Sequence, residues 1–317
     1  MRKNPKMMVA LAAAGVGMAL LGVKSTDIAQ FMRIAGAPEL AQMTETLAGK
    51  TVETAQARAK KKSESDEERW STVTEDYPDR GSNPGNHVND SFQKVKKILL
   101  SEVYRDHPVT LYCGYPFNPK DKQIELPKSF SAPVHGERSS SVEWEHVVPA
   151  EHFGQSFREW KEGSNLCINN NGTHYKGRRC AEEANSEYRF IQADMYNLFP
   201  AVGSVNAVRS NYPYAMLPEV PNTFGSCEMK VENGMAEPPE RARGRIARAM
   251  LYMELTYPTH YRMGEKTRRM IEDWNSRYPV DAWECLRATR IERIQKNRNP
   301  FVVEACKKAG IGYPVTK

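Results

Sequence analysis

Apolar and polar residues run along this chain in blocks of changing character, and each block points to a different kind of element. From Met7 to Val23 the sequence is almost continuously small and apolar, behind Met1-Arg2-Lys3-Asn4-Pro5-Lys6 and ahead of Lys24. A basic start followed by an apolar run is the layout of an export signal. The run is also at the short limit for a membrane span, which needs roughly 17–25 residues. No Ala-x-Ala cleavage site follows Leu20-Leu21-Gly22-Val23, so residues 1–24 read as a signal peptide or an uncleaved inner-membrane anchor. Between Thr26 and Leu47, Ile28, Phe31, Met32, Leu40, Met43 and Leu47 recur at helical spacing, interrupted at Gly36 and Pro38. Lys60-Lys61-Lys62 then meets Glu64, Asp66, Glu67 and Glu68, with too few apolar residues to pack. Tyr77 to Gly85 is dense in turn formers. Residues 25–88 therefore read as a tether or linker with a short helix.

A globular pattern starts near Asn89 and runs to about residue 310, leaving 311–317 as a tail. Asp90 or Ser91 can cap a helix bearing Val95, Ile98, Leu99 and Val103, which His107-Pro108 ends. Val109 to Tyr112 is a short strand candidate. Val142 to Val148 is rich in β-formers and Pro149 stops it, which places His146 near a strand end. Ala184 to Tyr196 predicts a helix with Tyr188, Ile191 and Met195 on one face. Leu198 to Val208 reads as loop passing into helix, with Asn206 near that helix's beginning. Pro238-Pro239-Glu240 starts another helix through Tyr257, burying Ile246, Met250 and Met253 and presenting Arg241, Arg245 and Arg248 on the other face.

At 317 residues the chain can bury one sizeable core. Its formal net charge of +6 suits a polyanionic partner, although basic charge also serves solubility. The six cysteines, Cys113, Cys167, Cys180, Cys227, Cys285 and Cys306, include no Cys-x-x-Cys pair, which excludes a zinc ribbon. They agree with an exported chain holding three disulfides, whose connectivity the spacing leaves open.

Candidate chemistry concentrates in Val142-Glu143-Trp144-Glu145-His146-Val147-Val148-Pro149-Ala150 and in Asp194 to Asn206. A hard cation such as Mg²⁺ takes oxygen ligands, usually one or two from protein beside several waters. Phosphodiester hydrolysis also needs a base of near-neutral pKa, which His supplies. Glu145, His146 and Asn206 meet both demands together. Singly each has a plainer reading: a structural histidine, an exposed strand-end carboxylate, a helix N-cap. A zinc protease is excluded, because His146 and His152 are six apart across Pro149, whereas a zinc helix needs two His at i and i+4.

Several spaced pieces carry a resemblance. They are Glu143-Trp144-Glu145-His146-Val147-Val148-Pro149-Ala150; Asp194-Met195-Tyr196-Asn197-Leu198-Phe199-Pro200 running on through Gly203-Ser204-Val205-Asn206; Arg209-Ser210-Asn211; Arg241-Ala242-Arg243-Gly244-Arg245-Ile246-Ala247-Arg248; Tyr278 to Cys285; and Asn299-Pro300-Phe301. On these, residues of about 90–310 resemble the endonuclease I family of exported bacterial nucleases, within the ββα-metal superfamily.

The resemblance implies an α+β fold, a mixed α/β nuclease domain built around a ββα-metal motif, cutting DNA and often RNA with little sequence preference. It implies His146 as general base, with Glu145 and Asn206 as ligands of a single Mg²⁺ for which Mn²⁺ or Ca²⁺ may substitute. The family's phosphate-clamping arginine precedes a cysteine. Gly163-Ser164-Asn165-Leu166-Cys167 lacks one, whereas Gly177-Arg178-Arg179-Cys180, after what looks like an insertion, offers Arg178 and then Arg179. Asp194 and Asn197 are expected to brace the loop around the metal shell. Arg209, Arg241, Arg245 and Arg248 are expected to contact nucleic acid, a solvated helix face being the plainer reading of the last three. The expected disulfides are Cys167–Cys180, Cys285–Cys306 and Cys113–Cys227. Export to the periplasm or medium and a monomer with no obligate protein partner complete the picture. The alternative is a catalytically weak or inactive DNA-binding or uptake protein on the same fold.

Overall fold

The computed structural model describes residues 25–34, 41–42 and 85–312. The chain divides into two compact units, Met1–Tyr77 and Pro78–Lys317. The expected signal or anchor over residues 1–24, most of the expected tether and the last residues of the tail lie outside the described residues. In the first unit, helix α1 (Ser25–Ile34) buries Ile28, Ala29 and Met32 with Ala41, following the helical spacing of that stretch. Among the described residues no helix is long and apolar enough to cross a membrane.

The second unit opens with α2 (Phe92–Ile98), capped where the Ser91 hydroxyl accepts from the Lys94 N–H. It winds on as a wider π-turn over Leu99–Val103, with Val95, Leu99 and Val103 buried. Val109 to Tyr112, expected as a strand, is a turn. Val109 makes only an isolated bridge to Pro116, and the Leu111 N–H goes to the Pro200 carbonyl at 2.7 Å. The Cys113–Cys227 disulfide and a left-handed Gly114 (φ +70°) hold the chain in that turn.

Strand β1 (Val142–His146) is followed by the short helices α3 (Ala150–Gly154), α4 (Arg158–Lys161), α5 (Arg178–Ala184) and α6 (Ser186–Gln192). The single helix expected over 184–196 is thus broken, because Asn185 leaves the helical region to cap α6 through the Tyr188 N–H. Strand β2 (Leu198–Val202) pairs antiparallel with β1, Val142 opposite Val202 and His146 opposite Leu198. That strand corrects the expectation of a loop. Leu198 to Val202 is buried throughout, so it shows no polar alternation, and the sequence signal for a strand is lost.

Helix α7 (Gly203–Arg209) follows directly and packs on this two-stranded sheet. Asn206 sits in its middle, not at its beginning. After the small hairpin of β3 (Lys230–Glu232) and β4 (Met235–Glu237) come α8 (Glu240–Thr256), α9 (Glu265–Arg277), α10 (Ala282–Gln295) and α11 (Pro300–Lys308).

The outer arginine face expected on α8 is corrected by burial. Arg248 is only 1% exposed and donates to both Glu284 oxygens, at 2.7 and 2.6 Å. Arg245 is half-buried against Asp281, leaving Arg241 as the exposed member of the three. A helix enclosed on most sides cannot offer a phosphate-binding stripe. The disulfides are Cys113–Cys227, Cys167–Cys180 and Cys285–Cys306, the three pairings expected.

Candidate active site

Strand alternation sends Glu143 and Glu145 to one face of β1 and Trp144 and His146 to the other. Helix α7 lies along the carboxylate face, and its successive turns meet successive carboxylates. Asn206 donates through Nδ2 to Glu143 Oε2 at 2.7 Å, and Arg209 Nη1 stands 3.1 Å from Glu145 Oε1. The structure therefore brings Asn206 to Glu143 and gives Glu145 a different neighbour.

Glu145 is buried, and its Oε1 also accepts from the Tyr112 hydroxyl at 2.6 Å. Burial pushes its carboxyl pKa up, with Arg209 and Tyr112 opposing. Among the described residues no hydrogen bond falls on its Oε2, nor on Asn206 Oδ1. Glu143 is half-buried. Its surroundings work to raise its pKa, but the Arg138 and Asn206 hydrogen bonds hold it below the usual carboxylate range. Arg138 grips it with two hydrogen bonds, at 2.7 and 2.5 Å.

His146 ends β1 with its ring enclosed by Phe92 and Phe153, at centroid distances of 4.9 and 6.3 Å. Its Nε2 lies 2.8 Å from the Gln192 carbonyl. A carbonyl only accepts, so Nε2 carries the proton and Nδ1 keeps its lone pair. No hydrogen bond reaches Nδ1 among the described residues. Burial, then the charge of Arg178, pushes the imidazole pKa down to about 3. The ring is neutral at physiological pH.

Arg209 corrects a further expectation. It is 1% exposed, and it donates to the carbonyls of His146 (3.0 Å) and Val147 (2.7 Å) while paired with Glu145. A guanidinium so enclosed fixes the end of β1 and cannot reach nucleic acid. Asn197, in the 3-10 turn just ahead of β2, fixes the same segment: its amide accepts from the Val148 N–H (2.8 Å) and donates to the Val148 carbonyl (2.9 Å). Asp194 is fully buried, accepting from Tyr252 and Tyr257 hydroxyls at 2.6 Å and from Gln295 at 2.9 Å. Both brace the loop.

The two candidate clamp arginines separate. Arg178 is exposed, with its guanidinium carbon 5.3 Å from the Phe92 ring centroid and its charge felt at His146. Arg179 points back to its own loop, stacking on Tyr175 and donating to Asn169. The Cys167–Cys180 disulfide ties down the loop just before α5, which Arg178 begins.

Glu143, Arg138, Phe92, Tyr112 and the Gln192 carbonyl were not among the residues expected from the sequence. Glu143 was within reach, since two residues along a strand share a face. A backbone carbonyl leaves no residue-type signal at all.

The site sits inside a matched family region. Residues 91–306 fit the family model described as Endonuclease I. The chain belongs to the endonuclease I family. An extracellular deoxyribonuclease of Aeromonas hydrophila is 35% identical over 231 residues, covering 71% of this chain and 94% of that protein. A periplasmic deoxyribonuclease of the same organism is 36% identical, over 68% and 86% respectively. An Endonuclease-1 of Buchnera aphidicola subsp. Baizongia pistaciae is 34% identical, over 70% and 86%. The endonuclease I region thus takes in β1, β2, α7 and every candidate residue above, and membership makes this a nuclease domain.

Proposed function

We propose that this chain is an exported, divalent-cation-dependent endonuclease that hydrolyses phosphodiester bonds in DNA, with RNA as a second substrate. The observation carrying this reading is His146: a buried imidazole, neutral, with Nε2 donating to the Gln192 carbonyl and Nδ1, among the described residues, without a hydrogen bond. A general base needs that state before substrate arrives. In the reaction, His146 Nδ1 takes a proton from the water that attacks phosphorus. Gln192 holds the ring in the tautomer that makes this feasible, and Arg178 supplies a bidentate guanidinium for the phosphate oxygens.

The donor set suits a hard cation. Among the described residues Glu145 Oε2 and Asn206 Oδ1 are oxygens without hydrogen bonds, and Glu143 adds a carboxylate on the same strand face. Mg²⁺ would be held by Glu145 and Asn206, with Mn²⁺ or Ca²⁺ able to take its place. When bound, it would act as a Lewis acid for the charge developing on phosphate and the departing 3′-oxygen. Arg209 and Tyr112 hold Oε1 of Glu145, and so orient the carboxylate for this task. β1, β2 and α7 are, in this reading, the ββα unit of the superfamily.

Export to the periplasm or medium is supported by the two Aeromonas hydrophila relatives and by three disulfides. The test is purified protein with plasmid DNA and Mg²⁺, with and without EDTA, and a parallel arm with single-stranded RNA. Degradation that EDTA abolishes is expected. Intact plasmid in every lane would instead favour a DNA-binding protein on the nuclease fold.

A further inference from the structure

Helix α2 brings a lysine to His146 that has no part in the scheme above. Phe92 and Lys96 are one turn apart and share a face of α2. The Lys96 ammonium is 4.9 Å from the Phe92 ring centroid, the same ring that lies 4.9 Å from the His146 ring and 5.3 Å from the Arg178 guanidinium carbon. One half-buried phenyl ring therefore carries two cations beside the imidazole.

Other arginines nearby are matched by acids: Arg138 with Glu143, Arg189 with Asp90, Arg209 with Glu145. Among the described residues, neither Lys96 nor Arg178 forms an ion pair. Burial, then the charges of Lys122 and Arg178, lowers the Lys96 pKa, and Glu182 and Glu143 offset this in part. Crowded like charges beside a neutral base are unfavourable until an anion joins them.

We propose that Lys96 is a substrate-phosphate ligand, forming with Arg178 a two-cation subsite over Phe92 for a phosphate of the strand being cut. This rests on the nuclease reading. Phe92 holds the lysine stem and shields one side of the imidazole from water. A compact ammonium with rotatable donors follows a phosphate through small movements, which complements the fixed fork of Arg178.

The experiment uses the full chain and a duplex DNA fragment. Binding without divalent cation is measured over a salt series, and cleavage with Mg²⁺, for wild type, K96Q, K96R, K94Q and K97Q. K96Q keeps the aliphatic stem on Phe92, and thermal midpoints confirm folding. Lys94 and Lys97 are exposed on other sides of α2. Loss of one phosphate contact should weaken binding roughly tenfold and flatten the slope of log K against log salt by about 0.9 in K96Q. K96R should restore the slope, and K94Q and K97Q should stay near wild type. A K96Q protein whose slope and rate match those of K97Q overturns the proposal. Should wild type bind DNA without cutting it, the nuclease reading fails while the slope comparison still decides the role of Lys96.

Discussion

His146 has one ring nitrogen tied to a backbone carbonyl and, among the described residues, no partner on the other, so its replacement removes a proton acceptor from an otherwise intact strand end. His146→Ala should lower kcat by about 10²- to 10⁴-fold while DNA binding at fixed salt changes little. Near-wild-type turnover would rule out its role as base. Glu145→Gln should weaken Mn²⁺ binding, read by calorimetry without substrate. Equal affinity in both proteins would shift the ligand role to Glu143. The imidazole also makes a stability prediction. Its pKa falls from 6.5 to about 3 on folding, so the unfolded chain takes up a proton in that interval and the folded chain does not. Stability present at neutral pH is therefore lost as pH drops from 6.5 towards 3. His146→Leu should lose less than wild type between pH 7 and pH 4, read as the change in urea midpoint. The sequence put Glu145 and His146 side by side at a strand end, where β1 carries them, and Asn206 entered the candidate set only through the family resemblance. The pairing of Asn206 with Glu143 was not legible, since it depends on how α7 lies along β1.

Among the elements, β1 announced itself by β-branched residues and a terminating proline, whereas β2 was hidden by being buried on both faces. The α8 reading failed for a related reason. Arginines spaced along a helix look alike in sequence whether they meet solvent or a buried acid. Arg248→Met should leave Glu284 as an unpaired buried carboxylate and cost about 3–5 kcal/mol, measured by denaturant unfolding. A change within experimental error would return Arg248 to the surface reading. Helix α5 depends on a covalent anchor, the Cys167–Cys180 bond across 13 residues. Replacing both cysteines by serine should cost roughly 3 kcal/mol on loop-entropy grounds. It should also reduce cleavage more than DNA binding, because Arg178 begins the tethered helix.

For the molecule as a whole, the sequence conveyed a nuclease unit behind a basic, apolar leader, and the family match over 91–306 agrees with the nuclease part. All three cysteine pairings were anticipated from the resemblance, which the spacing alone left among 15 arrangements. The architecture was less visible. Two short strands separated by some fifty residues form the sheet that positions the site, and local patterns carry no information about so distant a partner.

The disulfide beside Arg178 has a consequence for the cell that makes this protein. Thiols stay reduced in the cytosol, and with Cys167 and Cys180 reduced the loop ahead of α5 lacks its staple and Arg178 lacks a fixed seat. If the chain is exported and Arg178 grips phosphate, as proposed above, oxidation of this one bond would seat the arginine, and the producer's own chromosome would be spared until the blade has left the house.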